Sequence, residues 1–489
     1  MVGARHGAVG CVSGLPLSKG PVAVSQKERG MKYISTRGQS EPVDFIGACL
    51  AGLAPDGGLY IPESYPAIAP AKPGEPYSQV AARVISAFAG DTLTQEEVLG
   101  LCERAYATFA HQSVTPLTQS GPSSWLLELH HGPTLAFKDV AMQLIGQLYD
   151  LVLGKTGRRM TIMCATSGDT GGAAAAAFAG AKHADLVILH PFERVSPIQR
   201  LFMTTTGAGN VLNLALDTDF DECQTIVKSL FADRDFVDRV SLSGVNSINW
   251  ARIAAQMVYY ATSQAALAGQ QIRFVVPSGN MGDALAGYVA ARCGLLPGGL
   301  DIVCAVNEND ALMRLFNSGV MSKRPTVATP SPAMDISIPS NFERILFELS
   351  GRDSDAVRSV YERFKQAGEA ELPETATGRL GCSGIRVQSV SNADTMEEMR
   401  QFESDTGWLI CPHTAVGTRV ARLAPNSDVA TVVLATASPA KFPETVLEAT
   451  GREAKLPDFA TGVMSNEEVF ERVEPTLGAV RSRVERLAD

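Results

Sequence analysis

Lys138 stands inside the run His131-Gly132-Pro133-Thr134-Leu135-Ala136-Phe137-Lys138-Asp139, with apolar residues before it and a Gly-Pro turn signal upstream. A lysine held against apolar neighbours loses its proton more readily than a solvated one. Its neutral amine then attacks a carbonyl to give a Schiff base. Alone this is a weak signal, because a lysine near a helix start is usually a solvated charge with a buried stem. The neighbouring elements give it a place. Leu126-Leu127-Glu128-Leu129 reads as a short strand and Gly132-Pro133-Thr134 as a turn. Phe137 to Leu148 reads as a helix, apolar at Phe137, Val140, Ala141, Leu144, Ile145 and Leu148. Lys138 therefore falls at a strand-to-helix mouth, where α/β proteins commonly bind ligands.

Two glycine-rich segments follow predicted strands. Met160 to Ala165 runs into Thr166-Ser167-Gly168-Asp169-Thr170-Gly171-Gly172, and Ile272 to Val276 runs into Pro277-Ser278-Gly279-Asn280-Met281-Gly282-Asp283; each precedes a helix. Glycine lets backbone amides approach a ligand closely, and a helix start adds unpaired N–H groups and a positive dipole end. Either loop alone is equally an ordinary strand-to-helix turn. Neither fits G-x-G-x-x-G or G-x-x-x-x-G-K-[ST]. Two such loops beside a candidate Schiff-base lysine form a rarer set: one suits the phosphate of pyridoxal phosphate, the other a substrate carboxylate.

These blocks, with Met31 to Gly38, Ala54 to Tyr60, Asn246 to Arg252, Pro339 to Arg344 and Thr436 to Phe442, resemble the threonine synthases, within the fold-type II pyridoxal-phosphate enzymes. The resemblance runs from Met31 nearly to the end. It implies a tryptophan synthase β-like α/β fold, with two open lobes around the cofactor and a mostly helical N-terminal region. The implied reaction converts O-phospho-L-homoserine and water to L-threonine and phosphate by γ-elimination and β-addition. It assigns Lys138 the covalent link to pyridoxal 5'-phosphate and the later proton transfers. Gly279, Asn280, Met281, Gly282 and Asp283 match the cofactor-phosphate loop, and Thr436 the partner of the ring nitrogen. Thr166, Ser167, Gly168, Asp169 and Thr170 match the loop for the substrate carboxylate, Asp169 also facing the cofactor's phenolic oxygen. Asn246, Ser247 and Arg252 match positions that hold the substrate phosphate.

The chemistry itself calls for such residues, since a guanidinium with short polar donors binds a leaving phosphate and steadies its growing charge. Without the motif, Arg252 reads as a helix cap or salt-bridge partner at the start of the helical stretch Asn249 to Ala268. The assignment raises one electrostatic difficulty: an ionised Asp169 beside an electron-rich oxygen is unfavourable. The chain also departs from the family pattern, with Ser438 where histidine is expected and Met281 where an aromatic often stands.

A chain of 489 residues with net charge -10 is long enough for about three domains, and its acidity argues against a nucleic-acid surface. Nine cysteines without a C-x-x-C pair fit reduced thiols in the cytoplasm and offer no metal framework. No apolar run reaches membrane-spanning length. The expected organisation is a disordered extension over residues 1 to 30 and an N-terminal region over 31 to 121. A small α/β lobe over 122 to 245 and a large lobe over 246 to 489 follow, the latter with an insertion near 325 to 377 and a Ser340 to Leu349 helix capped by a Ser-x-x-Glu box. The partner is the small-molecule substrate, with no nucleic acid and no membrane, and the enzyme is a monomer or weak dimer. Competing readings are a phospholyase that yields keto acid and a non-catalytic metabolite-binding protein.

Overall fold

Apolar runs alternating with alanine-rich helices form two largely parallel sheets whose strand ends carry the chemistry-bearing segments. The computed structural model describes residues 30–267, 270–423 and 428–488; the extension expected over residues 1 to 30 lies, Gly30 apart, outside them. The strands are β1 (Tyr33–Ser35), β2 (Tyr60–Pro62), β3 (Leu117–Gly121), β4 (Ser124–Glu128), β5 (Met160–Ala165), β6 (Ala184–Pro191), β7 (Val211–Leu216) and β8 (Leu242–Ser243). The chain continues with β9 (Ile272–Pro277), β10 (Ile302–Val306), β11 (Val320–Ser322), β12 (Glu369–Glu371), β13 (Ile385–Ser389), β14 (Ala430–Ala435) and β15 (Glu471–Val473).

The larger sheet has the order β13-β10-β9-β14-β4-β3, parallel except for the β3 edge. The smaller has the order β15-β7-β6-β5-β8 and is parallel throughout. Every residue of β6 and β14 is buried, as strands covered by helices on both faces must be. No helix among the described residues is long and apolar enough to cross a membrane.

The pairing cuts across a division of the lobes at residues 122 and 246. β3 and β4 join the larger sheet, and β15, near the chain's end, completes the smaller one beside β7. Strand neighbours are set by which edges remain free, a long-range property that chain order does not carry. The stretch 325 to 377 lies between β10 and β13, which are adjacent in the sheet.

Two helix boundaries differ from expectation. The helix that starts at Lys138 runs to Thr156, where Gly157 ends it in the left-handed conformation, and Tyr149, Val152 and Leu153 are buried along its extra turns. The expected Ser340 cap does not form. The helix is Phe342–Leu349, with Asn341 before it making no side-chain cap bond. Ser340 Oγ instead donates to Asn280 Oδ1 at 3.0 Å, and Glu343 is drawn to Thr36 and Arg37. Tertiary partners have displaced a local motif.

Helix Lys138–Thr156 packs on helix Asp169–Phe178 at Gly146, where an added Cβ would lie 2.3 Å from the Ala177 carbonyl oxygen. A methyl group there must push two backbones apart. Gly146→Ala is therefore expected to lower unfolding free energy by about 1–3 kcal/mol, read as a shifted denaturant midpoint; an unchanged midpoint would show the helices to be farther apart.

Candidate active site

Three parallel neighbours, β9, β14 and β4, end on the same edge of the larger sheet, and β5 ends in the smaller one. The segments that leave these strands are the Gly279 loop, Thr436, the Lys138 turn and the Thr166 loop. Ligands in such sheets sit outside the carboxyl ends of the strands. Residues 135–137 are fastened to 436–438: Phe137 N donates to Thr436 O at 2.8 Å, Ser438 N donates to Leu135 O at 3.0 Å, and Ala136 bridges Ala437. This pairing brings Thr436 beside the start of the Lys138 helix. Asp139, next in sequence, folds back to accept from Thr134 N at 2.8 Å and Thr134 Oγ1 at 2.7 Å. Gly132 leaves room for it, since a Cβ there would fall 2.4 Å from that of Asp139.

Lys138 is 11% exposed and its Nζ lies 3.3 Å from Asp169 Oδ2. The other oxygen of Asp169 accepts from Lys441 Nζ at 2.6 Å and from Gln199 Nε2 at 2.9 Å. Lys441 is wholly buried and also donates to Thr134 O at 2.8 Å. Burial opposes the charge on Asp169, yet the ammonium groups of Lys441 and Lys138 outweigh it and hold the carboxyl well below its usual range. For Lys138 the balance runs the other way. Burial lowers its pKa below that of an ordinary lysine, and the charges of Lys441 and Arg252 assist against the pull of Asp169. His413 is buried near the three groups; burial pushes it down to about 4, so it stays neutral, and its Nε2 accepts from Ala333 N at 3.3 Å.

The loop after β9 is built to expose backbone. Gly279 has no space for a side chain, because a Cβ would come within 2.7 Å of the Ala333 carbonyl oxygen. Met281 adopts a left-handed conformation, φ 56°, just before helix Gly282–Arg292, and its side chain is buried in the core. Asn280 ties the loop to its surroundings: Oδ1 accepts from Ser340 and its backbone oxygen from Asn341. Ser278 Oγ is buried without a hydrogen-bond partner among the described residues. Asp283 is engaged elsewhere: its carboxyl accepts from the hydroxyls of Tyr259 and Tyr260, behind the loop, and burial raises it to about 6. Its expected contribution to the loop is limited to the backbone of the helix's first turn.

Arg252 is 3% exposed, and burial pushes it down to about 10. Its Nη1 donates to Val245 O at 3.3 Å, its Nε has no partner, and it forms no ion pair with any carboxylate among the described residues. A buried cation without a counter-ion is suited to an anionic ligand. Ser247 Oγ lies 3.3 Å from Ser340 Oγ, and Asn341 Nδ2 donates to Ser247 O at 3.0 Å, linking this segment to the Gly279 loop. Asn246 is exposed. In the Thr166 loop, Thr166 Oγ1 accepts from Gly168 N and Gly171 N, both at 3.0 Å, so that hydroxyl organises the loop itself. Gly168, at φ 140°, lies where a Cβ would strike Gln199.

Sequence reasoning missed Lys441, Gln199 and His413 as members of this cluster. The signal for Lys441 was a lysine within the apolar stretch Pro439-Ala440-Lys441-Phe442. Ser438 acts locally, its Oγ accepting from Ala440 N at 3.3 Å to cap the short turn Pro439–Lys441.

Three family profiles match the chain: "Threonine synthase N terminus" over residues 32–106, "Pyridoxal-phosphate dependent enzyme" over 109–364 and "Threonine synthase, C-terminal" over 414–484. A threonine synthase of Pseudomonas aeruginosa is 42% identical over 449 residues, covering 90% of this chain and 94% of its own. The crystal structure of a pyridoxal-phosphate-bound threonine synthase from Brucella melitensis superposes with TM-score 0.90 at 44% identity, over 94% of this chain and 99% of the other. The yeast threonine synthase structure gives TM-score 0.87 at 34% identity, over 93% and 98%.

The Asp139 fold-back supplies a test of how the lysine turn is held. Asp139→Ala would strip the Thr134 amide and hydroxyl of their buried acceptor. The expected loss is about 2–4 kcal/mol of stability in denaturant titrations, since two buried donors go unpaired. A loss under about 0.5 kcal/mol would show that water replaces the carboxylate.

Proposed function

The chain belongs to the threonine synthase family, and from that premise we propose how its own residues divide the work. It is a pyridoxal-phosphate-dependent enzyme that converts O-phospho-L-homoserine and water to L-threonine and phosphate, the last step of threonine biosynthesis. The residues present suit the cofactor. A side-chain-free cradle at Gly279 meets a helix start at Gly282, and a partly desolvated amine lies at Lys138. When bound, the cofactor draws electrons from the substrate's Cα, so that protons at Cα and then Cβ can leave.

Lys138 Nζ would hold the cofactor, take the protons that leave Cα and Cβ in turn, and return protons to Cγ and Cα. The backbone of Gly279 to Gly282, with Asn280 held by Ser340, would cradle its phosphate, and Thr436 would meet its ring nitrogen. Asp169 would face its phenolic oxygen, and Ser167, Gly168 and Thr170 would receive the substrate carboxylate at the helix start that follows β5. Arg252, with Ser247 and Asn246, binds the phosphate on Cγ and steadies its charge as the C–O bond breaks. Water then adds at Cβ. The same reading places the enzyme in the cytoplasm as a monomer or weak dimer.

The observation that carries the residue assignment is Arg252, a buried guanidinium with an unpartnered Nε and no carboxylate ion pair among the described residues. Incubation of the purified protein with O-phospho-L-homoserine, followed by amino-acid analysis, should give threonine and phosphate in equal amounts; keto acid and ammonia without threonine would mark a phospholyase. Lys138→Ala should abolish the product. Arg252→Ala should lower kcat/KM about a hundredfold or more while the absorption of the bound cofactor is unchanged. An unaltered kcat/KM would remove Arg252 from the phosphate site.

A further inference from the structure

The described cluster contains two buried lysines and one ionised carboxylate, and the family's reaction needs only one lysine amine. Their contacts are unequal. Lys441 Nζ has two close acceptors, Asp169 Oδ1 at 2.6 Å and Thr134 O at 2.8 Å, and its side chain is 1% exposed. Lys138 Nζ has one longer contact, 3.3 Å to Asp169 Oδ2, and is 11% exposed. Thr134 is itself fixed by Asp139, so Lys441 is held from two directions by the turn that leads to Lys138. We propose that Lys441 is a positioning residue: its ammonium clamps Asp169 through Oδ1, keeps that carboxylate charged and oriented, and leaves Lys138 as the amine that gives up its proton and takes the cofactor. This inference rests on the reading of Lys138 as the cofactor lysine.

The arrangement also answers the electrostatic difficulty posed by an acidic side chain at the phenolic oxygen. With Lys441 in place, Asp169 brings its own counter-charge, and Gln199 Nε2 fills a further lone pair. Like charges at that point are thus offset before any ligand arrives. The charged or titratable groups facing Lys138 and Asp169 are few. Lys441 comes from the turn after β14, Arg252 from helix Trp250–Ala266 and His413 from helix Pro412–Leu423, while Asp139, on Lys138's own helix, acts on Lys441. His413 is neutral by burial and Arg252 donates to Val245 O, which leaves Lys441 as the cation bonded to Asp169 besides Lys138 among the described residues.

Removing the Lys441 charge leaves Asp169 to Lys138 alone, so the protonated state of the Lys138 nitrogen is favoured and its pKa rises. The test is a pH titration of the bound cofactor's visible absorption in the full-length holoenzyme, for the parent, Lys441→Met, Lys441→Arg, Asp169→Asn and the double variant Lys441→Met/Asp169→Asn. The expected result is an upward shift of about one unit for Lys441→Met, a downward shift for Asp169→Asn, and return toward the parent when both charges go together. Lys441→Arg, which keeps the charge, should stay near the parent. A Lys441→Met response that coincides with the parent's, or a double variant that matches Asp169→Asn alone, would overturn the proposal. If Lys441→Met does not fold, comparison of the double variant with Asp169→Asn decides. Borohydride reduction and peptide mapping of the parent separate the two readings: a pyridoxyl group absent from Lys138 defeats the cofactor-lysine assignment, whereas a group on Lys138 with no coupling between Lys441 and Asp169 defeats only the clamp.

Discussion

One carboxylate shared by two buried ammonium groups governs the site. Asp169 would be expensive to ionise in an apolar interior by itself, and Lys138 and Lys441 would each be expensive to charge. Bringing the three together lowers each cost, but unequally, and the inequality is what makes chemistry possible. The lysine with two short bonds stays put, while the lysine with one long bond is free to change protonation and partner. The same logic separates the cluster from Arg252, whose buried charge has no carboxylate partner among the described residues and so suits an anion.

The scaffold holds this balance by assembling the site from distant parts of the chain. β4, β14 and β9 lie side by side in one sheet, and β5 lies in the other. Backbone bonds between residues 135–137 and 436–438 place Lys138 and Lys441 on either side of Asp169. Ser340 and Asn341, from the segment between β10 and β13, bind the Gly279 loop and the Ser247 segment together. Arg37 and Thr36 reach the same helix through Glu343. Thr36, Arg37 and the segment between β10 and β13 thus steady loops that lie elsewhere in the chain.

What was legible in the sequence was local or motif-borne. Strands β5 and β9 announced themselves as apolar runs ending at glycine, and the lysine, its turn and both loops were placed at strand ends as found. Motif resemblance supplied roles that spacing alone left open, Arg252 above all. What was not legible was tertiary. Ser340 obeyed the capping-box pattern yet binds Asn280, because a partner sixty residues away competes successfully with its own helix. Asp283 lies in the glycine loop by sequence but faces two tyrosines by structure. Lys441 lay in a quoted motif without a role, because nothing near it in sequence shows that it meets Asp169.

The position of β14 has a consequence for biosynthesis. It lies between β9 and β4, although it is made long after both, and β15 completes the other sheet later still. Until residue 435 has left the ribosome, the larger sheet lacks an interior strand and the edges of β4 and β9 stay open. Lys138, synthesised early, meanwhile waits without the neighbour at position 441 that completes its surroundings. A nascent chain therefore carries an open, apolar catalytic edge until β14 has emerged, an exposure that a sheet built from strands adjacent in sequence avoids.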